Sequence, residues 1–222
     1  TTLVHSLAKS LDMSFNRVQF TPDLLPSDII GVSIYNQKNN EFEFKKGPIH
    51  NNVVLADEIN RTSPKTQSSL LEVMQEGQIT VDGTTYILPK PFIVLATQNP
   101  IEYEGTFPLP EAQLDRFMMK VSIGYPDKMS EKAILRRFNS TNPLEKLSSV
   151  LKSEDIVSMQ QEVDAIHVDE VIDDYVIDIV RKTRDDENVK LGVSPRGALA
   201  LYKAAKGYAY VNNRKYVLPD DV

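Results

Sequence analysis

Val53-Val54-Leu55-Ala56-Asp57-Glu58 sets four apolar residues directly ahead of two carboxylates. A short, continuous apolar run bounded by polar residues is the signature of a strand buried on both faces, as in a parallel sheet. The two acids then lie at its carboxyl end, the edge at which open α/β sheets bind ligands. Adjacent carboxylates repel, and a local cation is the natural reason to place them side by side. In nucleotide hydrolysis the first acid of such a pair helps hold Mg2+ while the second polarises the attacking water. The pattern is short, however, and taken alone it reads equally as a strand end turning polar, with Asp57 capping the next turn.

Upstream of this run, Leu3, Val4, Leu7, Ala8 and Leu11 fall at helical spacing, so the chain opens inside an amphipathic helix. A strand follows over Phe15–Phe20 and ends at Thr21-Pro22-Asp23. Residues 31–47 read as a two-stranded excursion around the polar turn Asn36–Asn40. Downstream, Ser63-Pro64 opens a helix, serine as N-cap and proline where its missing N–H costs nothing, and Gly77 closes it. Asp82-Gly83 between Ile79-Thr80-Val81 and Thr85-Tyr86-Ile87 is a two-residue hairpin signal. Phe92–Ala96 is a second buried strand, and Val121-Ser122-Ile123 is expected to be a third. After Tyr125-Pro126-Asp127 only helical patterns remain, at 129–139, 153–165, 169–184 and 195–211. The expected layout is an α/β sheet domain over residues 1–126 and a small all-α domain over 127–222.

The 222 residues carry a formal net charge of −6, which argues against a protein held on nucleic acid or anionic membrane by bulk positive charge. There is no cysteine, hence no disulfide, thiolate metal site or cysteine nucleophile. A cytoplasmic location is compatible with that. No apolar run approaches the ~20 residues a membrane helix needs, so no membrane association is expected. His5, His50 and His167 lack metal-ligand spacing and read as structural.

Several longer motifs bear a resemblance that the short acidic pair alone does not. Residues 19–28 (Gln-Phe-Thr-Pro-Asp-Leu-Leu-Pro-Ser-Asp), 55–61 (Leu-Ala-Asp-Glu-Ile-Asn-Arg), 64–67 (Pro-Lys-Thr-Gln) and 96–102 (Ala-Thr-Gln-Asn-Pro-Ile-Glu) are similar to MoxR-family AAA+ ATPases. So are residues 108–117 (Pro-Leu-Pro-Glu-Ala-Gln-Leu-Asp-Arg-Phe), 191–196 (Leu-Gly-Val-Ser-Pro-Arg) and 218–222 (Leu-Pro-Asp-Asp-Val), in family order and spacing over nearly the whole chain. The resemblance implies a P-loop NTPase fold: a three-layer αβα domain with a parallel sheet and two hairpin inserts, followed by a helical lid. It implies ATP and Mg2+ as cofactors. Asp57 and Glu58 match the Walker B pair, with Glu58 catalytic and Asp57 toward the metal. Asn99 matches sensor 1, a neutral amide able to orient water or meet the γ-phosphate.

Arg116 matches the arginine finger, which acts on the neighbouring subunit's nucleotide; read alone it is half of an Asp115–Arg116 surface pair. Arg196 matches sensor 2. It sits in the first turn of the helix opened by Ser194-Pro195, where the helix dipole disfavours a cation and an anionic partner would compensate. Thr1 matches the last residue of the Walker A motif, its hydroxyl toward Mg2+, which places the glycines and lysine of the phosphate loop upstream; read alone it is a helix N-terminal residue. Thr21 is a candidate to restrain Glu58 in the manner of a glutamate switch, and Arg61 to reach a subunit interface. Local explanations hold for both.

The activity implied is ATP hydrolysis by a homo-oligomeric, hexameric ring performing chaperone-like work on a protein client, with a von Willebrand-type domain protein as one such partner. Two alternatives stand beside it. One is a nucleic-acid motor, disfavoured by the acidic balance and the polar hairpin tips; the other is a nucleotide-binding scaffold without hydrolysis, disfavoured by the intact set Asp57, Glu58, Asn99 and Arg116.

Overall fold

The computed structural model describes residues 1–99, 105–137 and 143–222. They fold as two compact units, residues 1–109 with 120–153 and residues 110–119 with 154–222. In the first unit the chain runs through α1 (Thr2–Ser10), β1 (Phe15–Gln19) and α2 (Pro26–Ile30) into the hairpin β2 (Gly31–Asn36)–β3 (Glu41–Lys46). It continues through β4 (Val53–Asp57), α3 (Pro64–Glu76), the hairpin β5 (Gln78–Val81)–β6 (Thr84–Ile87) and β7 (Ile93–Ala96).

The sheet is parallel, in the order β1-β4-β7. Val53, Val54, Leu55 and Ala56 of central β4 have no exposed surface, as a strand covered on both faces requires. Val53 and Leu55 pack with Val4 and Ala8 of α1, joined by Met13, Phe15 and Leu95. Val54 and Ala56, one residue out of phase, point to the opposite face. Truncating a side chain such as Leu55 to alanine in this position costs about 2–5 kcal/mol. From Arg17 onward β1 alternates: Val18 is buried, with Phe20 just beyond the strand, while Arg17 and Gln19 face the other way and are exposed. The register sets Gln19 opposite Asp57, and that alignment positions the site.

Local signals formed as read. Ser63 accepts from the Thr66 amide at the start of α3, and Gly77 closes it in the left-handed region. Asp82 and Gly83 have φ of 50° and 76°, the type I′ turn that matches strand twist. The two hairpins meet where Phe44 stacks on Tyr86, ring centroids 4.4 Å apart. His50 packs edge-on against both rings, burial lowering its pKa first and the charge of Lys46 further. His5 stacks on Phe15.

The strand expected at Val121-Ser122-Ile123 does not form. Val121 and Ile123 are exposed, and among the described residues no neighbouring strand offers a ladder to this segment. The short helix α4 (Glu111–Leu114) precedes it and α5 (Lys128–Arg137) follows; the last residues of the helix expected at 129–139 lie outside the described residues.

The second unit is built on α6 (Ser153–Asp164), α7 (Glu170–Asp185) and α8 (Pro195–Val211). Ile166, Ile172, Val176, Ala205, Ala209 and Val217 form its core. Asp169 and Ser194 cap α7 and α8 with their side chains. Among the described residues no helix is long and apolar enough to cross a membrane.

Candidate functional site

The end of β4 is held in a conformation that no local propensity provides. Glu58 has φ 58° and ψ 49°, the left-handed region, which a glutamate visits at a cost of about 1–3 kcal/mol. Its amide donates to Thr97 Oγ1 at 2.9 Å, and the Ile59 amide donates to the Thr97 carbonyl at 3.0 Å, so β7 fixes the turn. The Thr97 hydroxyl in turn donates to Asp57 Oδ1. One threonine therefore orients both acids.

The other oxygen of Asp57 faces β1. Arg17 Nε and Nη2 both donate to Oδ2, at 2.9 and 2.6 Å, and the Thr1 hydroxyl stands 3.5 Å from the same atom. Burial pushes the Asp57 carboxyl up, but hydrogen bonds from Thr97 and Arg17 and the charge of Arg17 outweigh it, holding the group below the usual carboxylate range.

Glu58 Oε2 accepts from Gln19 Nε2 at 2.8 Å and from Arg61 Nη1 at 3.1 Å. Gln19 Oε1 accepts from Arg17 Nη2 at 2.6 Å, which fixes the amide with its NH2 toward Glu58. The polar side chain of β1 that meets Glu58 is thus Gln19; Thr21, the residue singled out from sequence, follows the strand, and its carbonyl accepts from the Leu24 amide. Arg61 turns back onto Glu58 within its own turn.

Fully buried Gln67 of α3 braces the loop after β4. Its Nε2 lies within hydrogen-bond distance of the carbonyls of Ile59, Thr62 and Phe107, at 3.1, 3.2 and 2.9 Å. The Asn60 amide reaches the Asn99 carbonyl at 3.4 Å, and the Phe107 amide donates to the Asn60 carbonyl at 2.6 Å. Asn99, two residues beyond Thr97, is held beside the same loop. Pro100, Ile101 and Glu102 of that motif lie outside the described residues.

Thr1, Asp57, Glu58 and Asn99 belong to the first unit, Arg116 and Arg196 to the second. There the Ser194 hydroxyl donates to Asp115 at 2.6 and 2.8 Å while accepting from the Gly197 amide at 3.0 Å. The segment bearing Arg116 and the first turn of α8, bearing Arg196, are fastened together by the residues beside them. Arg17, Gln19, Thr97 and Gln67 carry site contacts that sequence reasoning did not assign.

The donor set at Asp57 Oδ2, a carboxylate and a hydroxyl, suits a hard cation that takes oxygen ligands and completes its shell from phosphate and water. Among the described residues no three His, Cys, Asp or Glu side chains cluster as a self-sufficient metal cage.

Known proteins match this arrangement. Residues 1–119 match the family described as "ATPase family associated with various cellular activities (AAA)", and residues 181–222 match the AAA lid domain. The whole chain is 57% identical to Bacillus subtilis YeaC, covering 69% of it, and 44% identical to Chaperone MoxR1 of Mycobacterium tuberculosis, covering 61%. It is 30% identical to Protein MoxR of Paracoccus denitrificans, covering 72%. A candidate ATPase of Cytophaga hutchinsonii superposes on 99% of the chain with a TM-score of 0.90 at 47% identity, the match covering 69% of that protein. A minichromosome-maintenance (MCM) homologue of Methanopyrus kandleri shares the fold, with a TM-score of 0.64 at 18% identity.

Proposed function

This chain belongs to the MoxR family of AAA+ ATPases, and from that premise we propose that it hydrolyses ATP with Mg2+ and spends the energy remodelling or maturing a protein partner. The single observation that carries the reading is the Asp57–Glu58 turn: a carboxylate at the strand end and a strained glutamate held side by side by Thr97. Backbone strain at a half-buried strand end, over-determined by its neighbours, is characteristic of sites where chemistry requires one fixed geometry.

In this reading Asp57 and Thr1 hold Mg2+, which when bound neutralises charge on the phosphates. Glu58 takes a proton from the attacking water, and Asn99 orients that water. Arg196 meets the phosphates of its own subunit's nucleotide. Arg116 presents an always-charged, planar donor to the nucleotide of the neighbour, so the site is completed only in a homo-oligomeric ring, which we take to be a hexamer. The two hairpins, polar at their tips, are the surface offered to the client.

Glu58→Gln in the full-length protein tests the assignment. ATP binding, followed with a fluorescent nucleotide, is retained, and turnover falls by about 10²-fold or more, the usual worth of a positioned general base. Unchanged turnover would remove Glu58 from the chemistry.

A further inference from the structure

Asp57 Oδ2 already has a cation on it. Two N–H groups of Arg17 converge on that one oxygen at 2.9 and 2.6 Å, while Oδ1 is taken by the Thr97 hydroxyl. Oδ2 is also the oxygen that Thr1 approaches, so the face a divalent ion would use is the face the guanidinium covers. A second positive charge brought to the same atom is repelled by the first.

The Arg17 side chain is 45% exposed, near the polar end of β1. The same guanidinium also donates to Gln19, which holds Glu58. Displacing it from Asp57 therefore alters the residue that fixes the glutamate.

We propose that Arg17 is a resident counter-cation of Asp57, a positioning residue that a divalent metal must displace from Oδ2 in order to bind. This rests on the reading of Asp57 as the metal-holding carboxylate. Arg17 thereby sets a threshold for metal entry. An ion pair this exposed is a weak competitor, so the threshold is small.

Mn2+ binding to the full-length protein with ADP, followed by electron paramagnetic resonance, tests the proposal without relying on turnover. Arg17→Met keeps the apolar stem and removes the competitor; Mn2+ should bind about fivefold more tightly than to the wild type, the factor that ~1 kcal/mol of lost competition gives. Arg17→Gln carries the same expectation should the methionine variant fail to fold. Unchanged or weaker Mn2+ binding overturns the proposal, because Arg17 and the metal then coexist or cooperate on Asp57. Asp57→Asn is the control for the underlying reading: if it retains wild-type Mn2+ affinity, Asp57 does not hold the metal, whatever Arg17 does.

Discussion

The Ser194 hydroxyl shares its proton between the two carboxylate oxygens of Asp115, 79 positions earlier in the chain, at 2.6 Å to Oδ1 and 2.8 Å to Oδ2. Its lone pair simultaneously caps α8 through the Gly197 amide. A helix start and a distant loop are thereby locked by one side chain. Ser194→Ala should cost about 2 kcal/mol, roughly 1 from the cap and 1 from the charge-assisted bond. Asp115→Ala removes only the second term, so the double variant should be less damaging than the sum by about 1 kcal/mol. Hydrogen exchange at the first amides of α8 reads the loss; strict additivity would mean that the two residues do not hold each other.

Gln19 supplies a second prediction. Its NH2 occupies Glu58 Oε2 at 2.8 Å, and a lone pair so engaged is a poorer proton acceptor. Gln19→Leu keeps the shape and removes the donor. Basal ATP turnover of the full-length protein should rise about fivefold, the factor for one neutral hydrogen bond of ~1 kcal/mol. A fall in turnover would show instead that Gln19 aims Glu58 productively.

What the sequence made legible was local. The caps at Ser63 and Ser194, the closing Gly77 and the Asp82-Gly83 turn each depend on a few consecutive residues, and each formed as read. The buried strand at 53–57 followed from composition alone, since a strand covered on both faces admits little but aliphatic residues. The strand expected at Phe92–Ala96 forms over 93–96 but is not buried as read. It lies at the sheet edge among the described residues, with Ile93 exposed and Val94, Leu95 and Ala96 half-buried. Contacts set by register were not legible. Thr21 drew attention as the residue that ends the strand beside the acidic pair, but the pairing of Gln19 with Asp57 puts Gln19 at the site and carries Thr21 past it. Arg17 has the same origin: residues 17 and 19 share a face of β1, and only the partner strand reveals what that face meets. Val121 and Ile123 fail for the converse reason, because β propensity makes no strand without a ladder to join. The left-handed Glu58 has no sequence signal at all; Thr97, reaching across from β7, imposes it.

Asp221 makes the last prediction, on pH. Its side chain is almost completely buried (1% exposed) and is gripped by both terminal nitrogens of Arg214, with the Leu218 amide donating to Oδ2 at 2.8 Å. The Arg214 hydrogen bonds outweigh desolvation and hold the carboxyl below its ordinary range. A carboxylate whose folded pKa is depressed contributes stability that is complete above its unfolded pKa, near 4, and is lost as pH falls through the folded value. Asp221→Asn should therefore be less stable than the wild type at pH 7, where the carboxylate is fully charged and Arg214 loses its anionic partner. Below pH 4 the wild type should lose stability faster than the variant and the gap should narrow. Urea unfolding at pH 7, 5 and 3.5 measures this, and a gap that stays constant across the series would mean that the Asp221 carboxylate is not what Arg214 stabilises.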